Sequence, residues 1–288
     1  MRLAAARGRG LTLLFHRVSP EGPQPHEVVR SVPLALFRRQ LELLTELGDV
    51  VPAEELAVRP AAGRRPRFAL TFDDDYASQR TACRVLGELR LPGTFFVSGR
   101  ALNGLGAYWW EVLEHRIAGE GLAAVASALG VDADTPAQLA AMCEATPLAS
   151  RLQEAAVGVP CNHLTTGDIA EIAATPGMTV GFHTVHHPVL PSLAGDDMSH
   201  ALAFGRTALE AQLGRDVDLL AYPHGKATPA VASEAAAAGY RFAWTGRIEP
   251  TRRGCDPHLL GRWEPHELQP QEFLTQLAIR VNLADAWR

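Results

Sequence analysis

Cysteine is scarce in this sequence, and its copies are far apart. The four cysteines are Cys83, Cys143, Cys161 and Cys255, and no two of them have the close spacing of a paired motif. A cysteine zinc site or a disulfide framework would need such paired spacing. The sequence therefore predicts free thiols and argues against both kinds of site.

Signals for nucleic-acid binding, membrane insertion and secretion are also missing. The formal net charge is −5, so the chain has no basic footprint for a nucleic-acid partner. No stretch approaches the roughly 20 apolar residues of a transmembrane helix. The apolar run at 11–15 is too short for the core of a signal peptide and is followed by His16-Arg17. We therefore predict a cytoplasmic protein.

Two enzyme classes lack their sequence signatures. The chain has no Gly-x-Ser-x-Gly nucleophile turn, and no Gly-x-Gly-x-x-Gly follows its first apolar segment. A serine hydrolase and a dinucleotide enzyme are therefore not expected. Apolar residues are abundant by contrast, at 47% of 288 residues, which is enough for one large domain with a sizeable core.

Short apolar segments alternate with helical patterns along most of the chain. Strands are predicted at 11–16, 50–51, 67–72, 94–97, 178–182, 217–222, 240–245 and 259–263. Helices are predicted at 33–47, capped by Ser31, and at 76–89, 166–174, 199–213, 229–238 and 270–279. This alternation predicts an α/β fold with a parallel sheet, which either closes into a barrel or stays open.

The alternation stops between about 100 and 162. Tyr108-Trp109-Trp110 opens a predicted helix there, and an alanine-rich stretch with helical character follows. We interpret this region as a helical insertion within a single domain that spans 1–288. Such an insertion would form a cap or lid near the strand ends.

Three consecutive carboxylates, Asp73, Asp74 and Asp75, follow the predicted strand at 67–72. Like charges at this spacing repel one another, and burying them is costly unless a cation compensates. Strand ends in α/β proteins are also where active sites are built. The alternative is an aspartate-rich turn that caps the next helix.

Histidines follow the predicted strand at 178–182 in the same way. His183 and His187 are four residues apart and would share one face if the turn after the strand is helical, whereas His186 would point away. One carboxylate and two imidazoles, with positions left for water, are typical of a catalytic transition-metal site. A surface histidine-rich loop is the alternative.

These motifs resemble those of the polysaccharide deacetylases, the carbohydrate esterases of family four with a NodB-homology domain. Thr71-Phe-Asp-Asp74 is similar to the first family motif, and His183-Thr-Val-His-His187 to the second, His-Ser/Thr-x-x-His. Leu14-Phe-His-Arg-Val18 and Ala221-Tyr-Pro-His-Gly225 also fit the family pattern. The resemblance runs from residue 11 to about 264, apart from the insertion. It implies a distorted (β/α)7-type barrel of mostly parallel strands.

The resemblance also implies an activity and a set of roles. One divalent metal ion, commonly zinc, with cobalt, nickel or manganese as alternatives, would be bound by Asp74, His183 and His187. Asp73 would be the general base in hydrolysis of the N-acetyl group of an N-acetylhexosamine in a glycan or glycan precursor. The backbone N–H of His224 would stabilise the oxyanion together with the metal.

The sequence departs from the family pattern at the first of these motifs and at the motif around residue 221. Asp75 replaces the glycine that usually follows the two aspartates, and we expect its side chain to face solvent or to cap a helix. The family motif Arg-x-Pro-Tyr-Gly lacks its arginine, because Ala221 stands at that position. Arg262, on the last predicted strand, could reach the carboxylate of Asp73 in its place.

The general acid is the third departure, since the Leu-x-His motif expected near the C-terminus is not evident. His16, His224 and His258 are the candidates for this role. Two alternatives to an N-deacetylase stay open: a deformylase or other amide hydrolase that uses the same metal site, and a degenerate member that binds glycan or metal without turnover.

Overall fold

The computed structural model describes residues 9–60 and 65–282. The strands in these residues are β1 (Arg9–Phe15), β2 (Val18–Ser19), β3 (Val32–Pro33), β4 (Asp49–Val50), β5 (Arg67–Phe72), β6 (Gly93–Val97), β7 (Met178–Phe182), β8 (Leu219–Ala221), β9 (Phe242–Trp244) and β10 (Thr251–Arg252). The helices are α1 (Leu34–Leu47), α2 (Ala53–Val58), α3 (Gln79–Leu89), α4 (Trp109–Glu120), α5 (Leu122–Leu129), α6 (Pro136–Glu144), α7 (Leu148–Glu154), α8 (Thr166–Ala174), α9 (Gly195–Ala203), α10 (Arg206–Leu213), α11 (Pro229–Ala237) and α12 (Pro270–Asn282). No helix in this part of the chain is long and apolar enough to cross a membrane.

The main sheet has the strand order β10-β1-β5-β6-β7-β8-β9, with β4 added beside the first half of β5. All of its pairs are parallel except β1 with β10. The segment 260–263 joins the two sides of the sheet, because Leu260 pairs with Trp244 and Trp263 pairs with Leu13. The expected distorted α/β barrel is therefore confirmed, although two single-residue bridges replace the predicted strand at 259–263.

The carboxyl ends of the central strands are fixed by a stack of buried aromatic rings. Phe72 stacks on Phe15 with ring centroids 5.6 Å apart and on Phe95 at 4.6 Å. Phe37, on the buried face of α1, packs edge-on against Phe15 at 5.1 Å. All six side chains of β5 are buried, as expected for a parallel strand covered on both faces. The loop after β5 therefore starts from a rigid position.

Helices α4 to α7 occupy the region where the sequence predicts an insertion, and they have a small apolar core of their own. Val112, Leu139, Cys143 and Leu152 are among the buried members of this cluster. Polar contacts join the insertion to the barrel: the Trp110 indole donates to the Tyr76 hydroxyl at 3.0 Å, and Arg17 donates to Glu114 at 2.6 Å. These contacts place the insertion beside the loop after β5.

Three predicted helix details were wrong. The predicted helix at 199–213 is divided into α9 and α10, because Gly205 adopts a left-handed conformation with φ of 83°. Helix α3 begins at Gln79 rather than at Tyr76, because positive φ angles at the preceding aspartates continue the loop. The Ser31 hydroxyl does not cap α1, since it donates to Glu27 instead.

Candidate active site

The two motifs meet at one edge of the sheet, where β5 and β7 end with only β6 between them. Asp74 Oδ1 lies 3.1 Å from His183 Nε2 and 3.3 Å from His187 Nε2. The possible ligand atoms of these three side chains all lie within 4.8 Å of one another. Atoms bound about 2.1 Å from a tetrahedral metal ion lie about 3.4 Å apart, so this spacing suits a shared cation.

The hydrogen-bonding partners of these side chains also fit a divalent metal ion. The Nδ1–H of His183 donates to the carbonyl oxygen of Ala221 at 2.8 Å, which leaves the Nε2 lone pair facing Asp74. Within the described residues, Asp74 Oδ1 and His187 Nδ1 are buried and have no hydrogen-bond partner. Burial raises the pKa of Asp74, but the neighbouring imidazoles outweigh it and hold this pKa well below its usual value. An ionised carboxylate beside two imidazole nitrogens needs positive charge between them, supplied by protons on the rings or by a bound cation.

The loops that carry these side chains have unusual backbone conformations. The sequence analysis placed His183 and His187 on one face on the condition that the turn after β7 is helical. This turn is not helical, so the condition was wrong, although the two side chains still meet. His186 does point away, because its ring stacks on Phe204 at 5.5 Å. Five of the seven non-glycine residues with positive φ in the described chain lie beside the site: Asp74, Asp75, Thr184, His187 and His224. Backbone strain of this kind concentrates at functional sites.

Asp73 lies next to the ligand set and is bound by Arg262. The guanidinium donates from Nη1 and Nη2 to the two carboxylate oxygens, each at 2.7 Å, and its Nε donates to the Thr245 carbonyl at 3.1 Å. Asp73 Oδ2 is 3.8 Å from His183 Nε2. Burial raises the pKa of Asp73, but Arg262 and His183 outweigh it and lower this pKa below its usual value. Arg262 therefore binds the carboxylate of Asp73, the one that the sequence analysis expected it to reach.

His16 lies beside the second carboxylate oxygen of Asp74, Oδ2, whereas His183 and His187 lie beside Oδ1. Its Nδ1 is 2.8 Å from Glu264 Oε1, and its Nε2 is 3.7 Å from Asp74 Oδ2. Burial lowers the pKa of His16, but Glu264 and the two aspartates outweigh it and raise this pKa to about 9. This raised pKa favours the protonated ring, which is able to donate a proton.

His224 and His258, the other two candidates for the acid, have different surroundings. His224 lies beside His187 with ring centroids 4.3 Å apart, and its Nδ1 is 3.1 Å from Glu144 Oε1. Burial and His187 lower the pKa of His224 to about 4. His258 Nε2 lies 2.7 Å from the carbonyl oxygen of Tyr240, and His258 is not among the residues that line the cleft.

The expectation for Asp75 was wrong. Its side chain is 1% exposed and accepts hydrogen bonds from the Ser98 backbone N–H, the Ser98 hydroxyl at 2.6 Å and the Gly99 N–H at 3.3 Å. The reason is that the turn after β5 directs this carboxylate toward the end of β6 rather than toward solvent. Asp75 therefore joins the ends of β5 and β6, whereas Asp74 lies beside His183 and His187.

A cleft of about 780 Å³ opens over these side chains. The barrel provides its polar floor, which includes Asp73, Asp74, His183 and His16. The insertion provides one wall. The wall residues from the insertion are Trp109, Trp110, Ala137, Ala140, Ala141 and Glu144. The volume lies within the range of pockets that bind small ligands.

Sequence reasoning missed two carboxylates of the site. Glu264 contacts His16, and it lies two residues after Arg262, so the alternation of side chains along an extended segment could have placed it on the same side. Glu144 contacts His224 from the insertion. No local signal marks Glu144, because its position depends on how the insertion packs against the barrel.

Comparisons with known proteins bear on the family and the fold of the chain. A family profile described as polysaccharide deacetylase matches residues 61–243, which is more than half of the chain. Among solved structures, the chain is similar to the Streptococcus pyogenes deacetylase PplD in complex with acetate, with a TM-score of 0.64 and 18% identity, over 93% of this chain and 97% of that one. It is also similar to IcaB from Ammonifex degensii, with a TM-score of 0.63 and 22% identity, over 95% of this chain and 97% of that one.

A third similar structure is the polysaccharide deacetylase BC0361 from Bacillus cereus, with a TM-score of 0.63 and 18% identity. The similarity covers 94% of this chain and 69% of that one. At these identities the structures show the fold alone. No curated protein sequence matches the chain.

Proposed function

Because the chain belongs to the polysaccharide deacetylase family, we propose that it is a metal-dependent hydrolase that removes the N-acetyl group from an N-acetylhexosamine in a glycan or glycan precursor. The observation that carries this proposal is the position of Asp73, directly beside the possible ligands Asp74, His183 and His187. Three protein ligands leave coordination positions for water and substrate, whereas a structural site is closed by a fourth.

The ligand set suits a borderline metal such as zinc, because it combines two imidazole nitrogens with one carboxylate oxygen. When bound there, the ion would supply Lewis-acid polarisation of the amide carbonyl and a lowered pKa for water. Asp74 provides the negative charge that attracts the cation. The Ala221 carbonyl, through its hydrogen bond to His183, orients one imidazole toward it.

Asp73 acts as the general base. Its pKa lies below the usual value, so the carboxylate is ionised at neutral pH and takes the proton from the attacking water. Each carboxylate oxygen has two lone pairs, so Asp73 accepts from Arg262 and still has capacity for the water. Arg262 supplies the fixed, bidentate orientation that the missing motif arginine would otherwise give.

His16 protonates the departing amine. Glu264 holds its Nδ1, so the Nε2–H is directed toward the metal side of the site. The backbone N–H of His224 is assigned to the oxyanion, and the next N–H along the turn, that of Gly225, donates to the Tyr222 carbonyl at 2.9 Å. Water gives its hydroxyl to the acyl carbon and a proton to the nitrogen, and the products are acetate and a free amino sugar.

The test is release of acetate from N-acetylglucosamine oligomers by the purified chain with added zinc or cobalt. We expect metal-dependent release, which a chelator abolishes and added metal restores. Matched N-formyl substrates distinguish a deformylase, since faster turnover of the formyl compounds would reassign the acyl group. One bound metal per chain and tight glycan binding without any turnover would instead support a degenerate member.

A further inference from the structure

Glu144 connects the helical insertion to the loop that carries His224. It is the last residue of α6, and its Oε1 lies 3.1 Å from His224 Nδ1. The same oxygen lies 3.2 Å from Nζ of Lys226, the only lysine in the sequence. The Glu144 side chain is 31% exposed and lines the cleft. The insertion therefore reaches into the site with a charged group, besides closing one wall.

The turn that receives this contact is held in a strained conformation. His224 has φ of 57°, which is uncommon for a residue with a side chain. The next residue, Gly225, has φ of 63° and packs so closely on Gly246 that a Cβ would lie 2.5 Å from the Gly246 nitrogen. Such a conformation persists only when surrounding contacts hold it. On the cleft side, the contact that Glu144 makes with the His224 ring is one of these.

We propose that Glu144 is a positioning residue for the deacetylation reaction: it fixes the His224 ring, and through it the backbone N–H that the proposed function assigns to the oxyanion. The proposal rests on the proposed function. It assigns the insertion a part in catalysis, in addition to shaping the cleft.

The hydrogen-bonding chemistry of imidazole gives the proposal a direct consequence. A carboxylate facing Nδ1 requires a hydrogen on that nitrogen, whether the ring is neutral or charged. His224 Nε2 lies 3.2 Å from the carbonyl oxygen of His187, which would attract the hydrogen if Glu144 were absent. Because a carboxylate is the stronger acceptor, Glu144 holds the ring as the Nδ1–H tautomer. Removing Glu144 would release the ring to donate from Nε2 to His187 instead.

The experiment uses the zinc-loaded full chain and two variants, Glu144→Ala and Glu144→Gln. The tautomer of His224 is read from its ring 15N chemical shifts, assigned by their loss in His224→Gln. We expect Nδ1–H in the parent and Nε2–H in E144A. Turnover of N-acetylglucosamine oligomers should fall about tenfold in kcat in E144A, with KM changed by less than about twofold. E144Q keeps an acceptor oxygen and should recover part of the loss.

Glu154 provides a matched control, because it is also a glutamate at the last position of an insertion helix, α7, and it is exposed. Glu154→Gln should leave both kcat and the tautomer unchanged. An unchanged Nδ1–H tautomer in E144A, or an unchanged kcat, would overturn the positioning role. If the parent shows no turnover but E144A changes the tautomer, the orienting contact stands and the proposed deacetylase activity fails.

Discussion

The guanidinium of Arg262 forms two parallel hydrogen bonds to the carboxylate of Asp73, each 2.7 Å long, across 189 residues of sequence. Both side chains are almost completely buried, at 1% and 3% exposure. Two parallel N–H···O bonds fix the direction of the carboxylate as well as its charge. This pair therefore holds the proposed base in one orientation beside the possible metal ligands.

Replacing Arg262 should reduce stability and turnover together. Arg262→Met leaves Asp73 buried and unpaired, which should lower the free energy of unfolding by about 3–5 kcal/mol. Arg262→Lys keeps the positive charge but loses the two parallel N–H donors of the guanidinium. It should therefore destabilise the protein less than Arg262→Met does, and still lower kcat by about 10- to 100-fold because the base is misplaced. Denaturant unfolding and acetate release measure the two effects. Full activity in R262K would contradict the orienting role.

Asp75 should stabilise the loop in spite of its positive φ of 54°. Asp75→Ala removes the acceptor of the Ser98 N–H and keeps the left-handed backbone, whereas Asp75→Gly removes the acceptor but relieves the backbone. We expect D75A to be less stable than D75G by about 1–2 kcal/mol, the cost of the left-handed conformation with a side chain. D75A should be less stable than the parent by about 1–3 kcal/mol, for the unpaired buried N–H, and the deficit of D75G should be smaller because glycine relieves the backbone. Parent-like unfolding of D75A would contradict this account.

Glu111 should make the stability of the insertion depend on pH. It accepts hydrogen bonds from the backbone N–H groups of Tyr108 at 2.7 Å and Asn162 at 2.8 Å. Burial raises its pKa, but His163, 3.7 Å away, and these N–H donors outweigh it and lower the pKa below its usual value. The stabilisation is therefore present above the unfolded pKa of about 4.3 and is lost as the pH falls through the folded pKa.

Glu111→Gln removes this contribution. We expect E111Q to be less stable than the parent by about 2–3 kcal/mol at pH 7, and the difference to narrow below about pH 4. Denaturant midpoints at several pH values give the difference, and hydrogen exchange of helices α4 to α7 shows where it acts. Glu154→Gln serves as the control and should show no pH-dependent difference. A stability difference between E111Q and the parent that stays constant from pH 7 to pH 3 would contradict the lowered pKa of Glu111.

Gly225 and Gly104 form a pair that separates backbone strain from crowding. Both have similar positive φ, 63° and 65°, but a Cβ at Gly225 would meet Gly246 at 2.5 Å, whereas nothing lies within 4 Å of a Cβ at Gly104. Gly104→Ala should therefore cost about 1–2 kcal/mol of unfolding free energy and leave turnover unchanged. Gly225→Ala should cost more and also lower kcat, because the His224 turn must move. Equal losses of stability and of kcat in the two variants would show that crowding at Gly225 does not contribute to either.

Sequence patterns predicted the strands that carry the site, because those signals are local. The strand β5 is a mostly apolar, fully buried run that stops at Asp73, and β7 stops at His183 in the same way. The parallel arrangement then brings the two ends together without further information. Membership of the polysaccharide deacetylase family, expected from the same motifs, is confirmed by the family match over residues 61–243.

Sequence patterns did not predict the contacts that depend on tertiary packing. His16 and Glu264 are 248 residues apart, and Glu144 reaches His224 only because the insertion folds over the cleft. The burial of Asp75 was mispredicted for a related reason. A carboxylate in a turn usually faces solvent, but Ser98 and Gly99, which follow β6, supply the donors that hold Asp75 inside.

Replacing Asp73 and Asp74 one at a time tests the central claim most directly. The two carboxylates are adjacent and similarly buried, yet Asp73 is assigned as the general base and Asp74 as a metal ligand. Acetate release and bound zinc per chain are measured side by side for the parent, Asp73→Asn and Asp74→Asn. We expect D73N to retain one zinc ion per chain while its kcat falls at least about 100-fold, and D74N to lose both zinc and turnover. Turnover that persists in zinc-loaded D73N, or zinc bound at unit stoichiometry in D74N, would contradict the account.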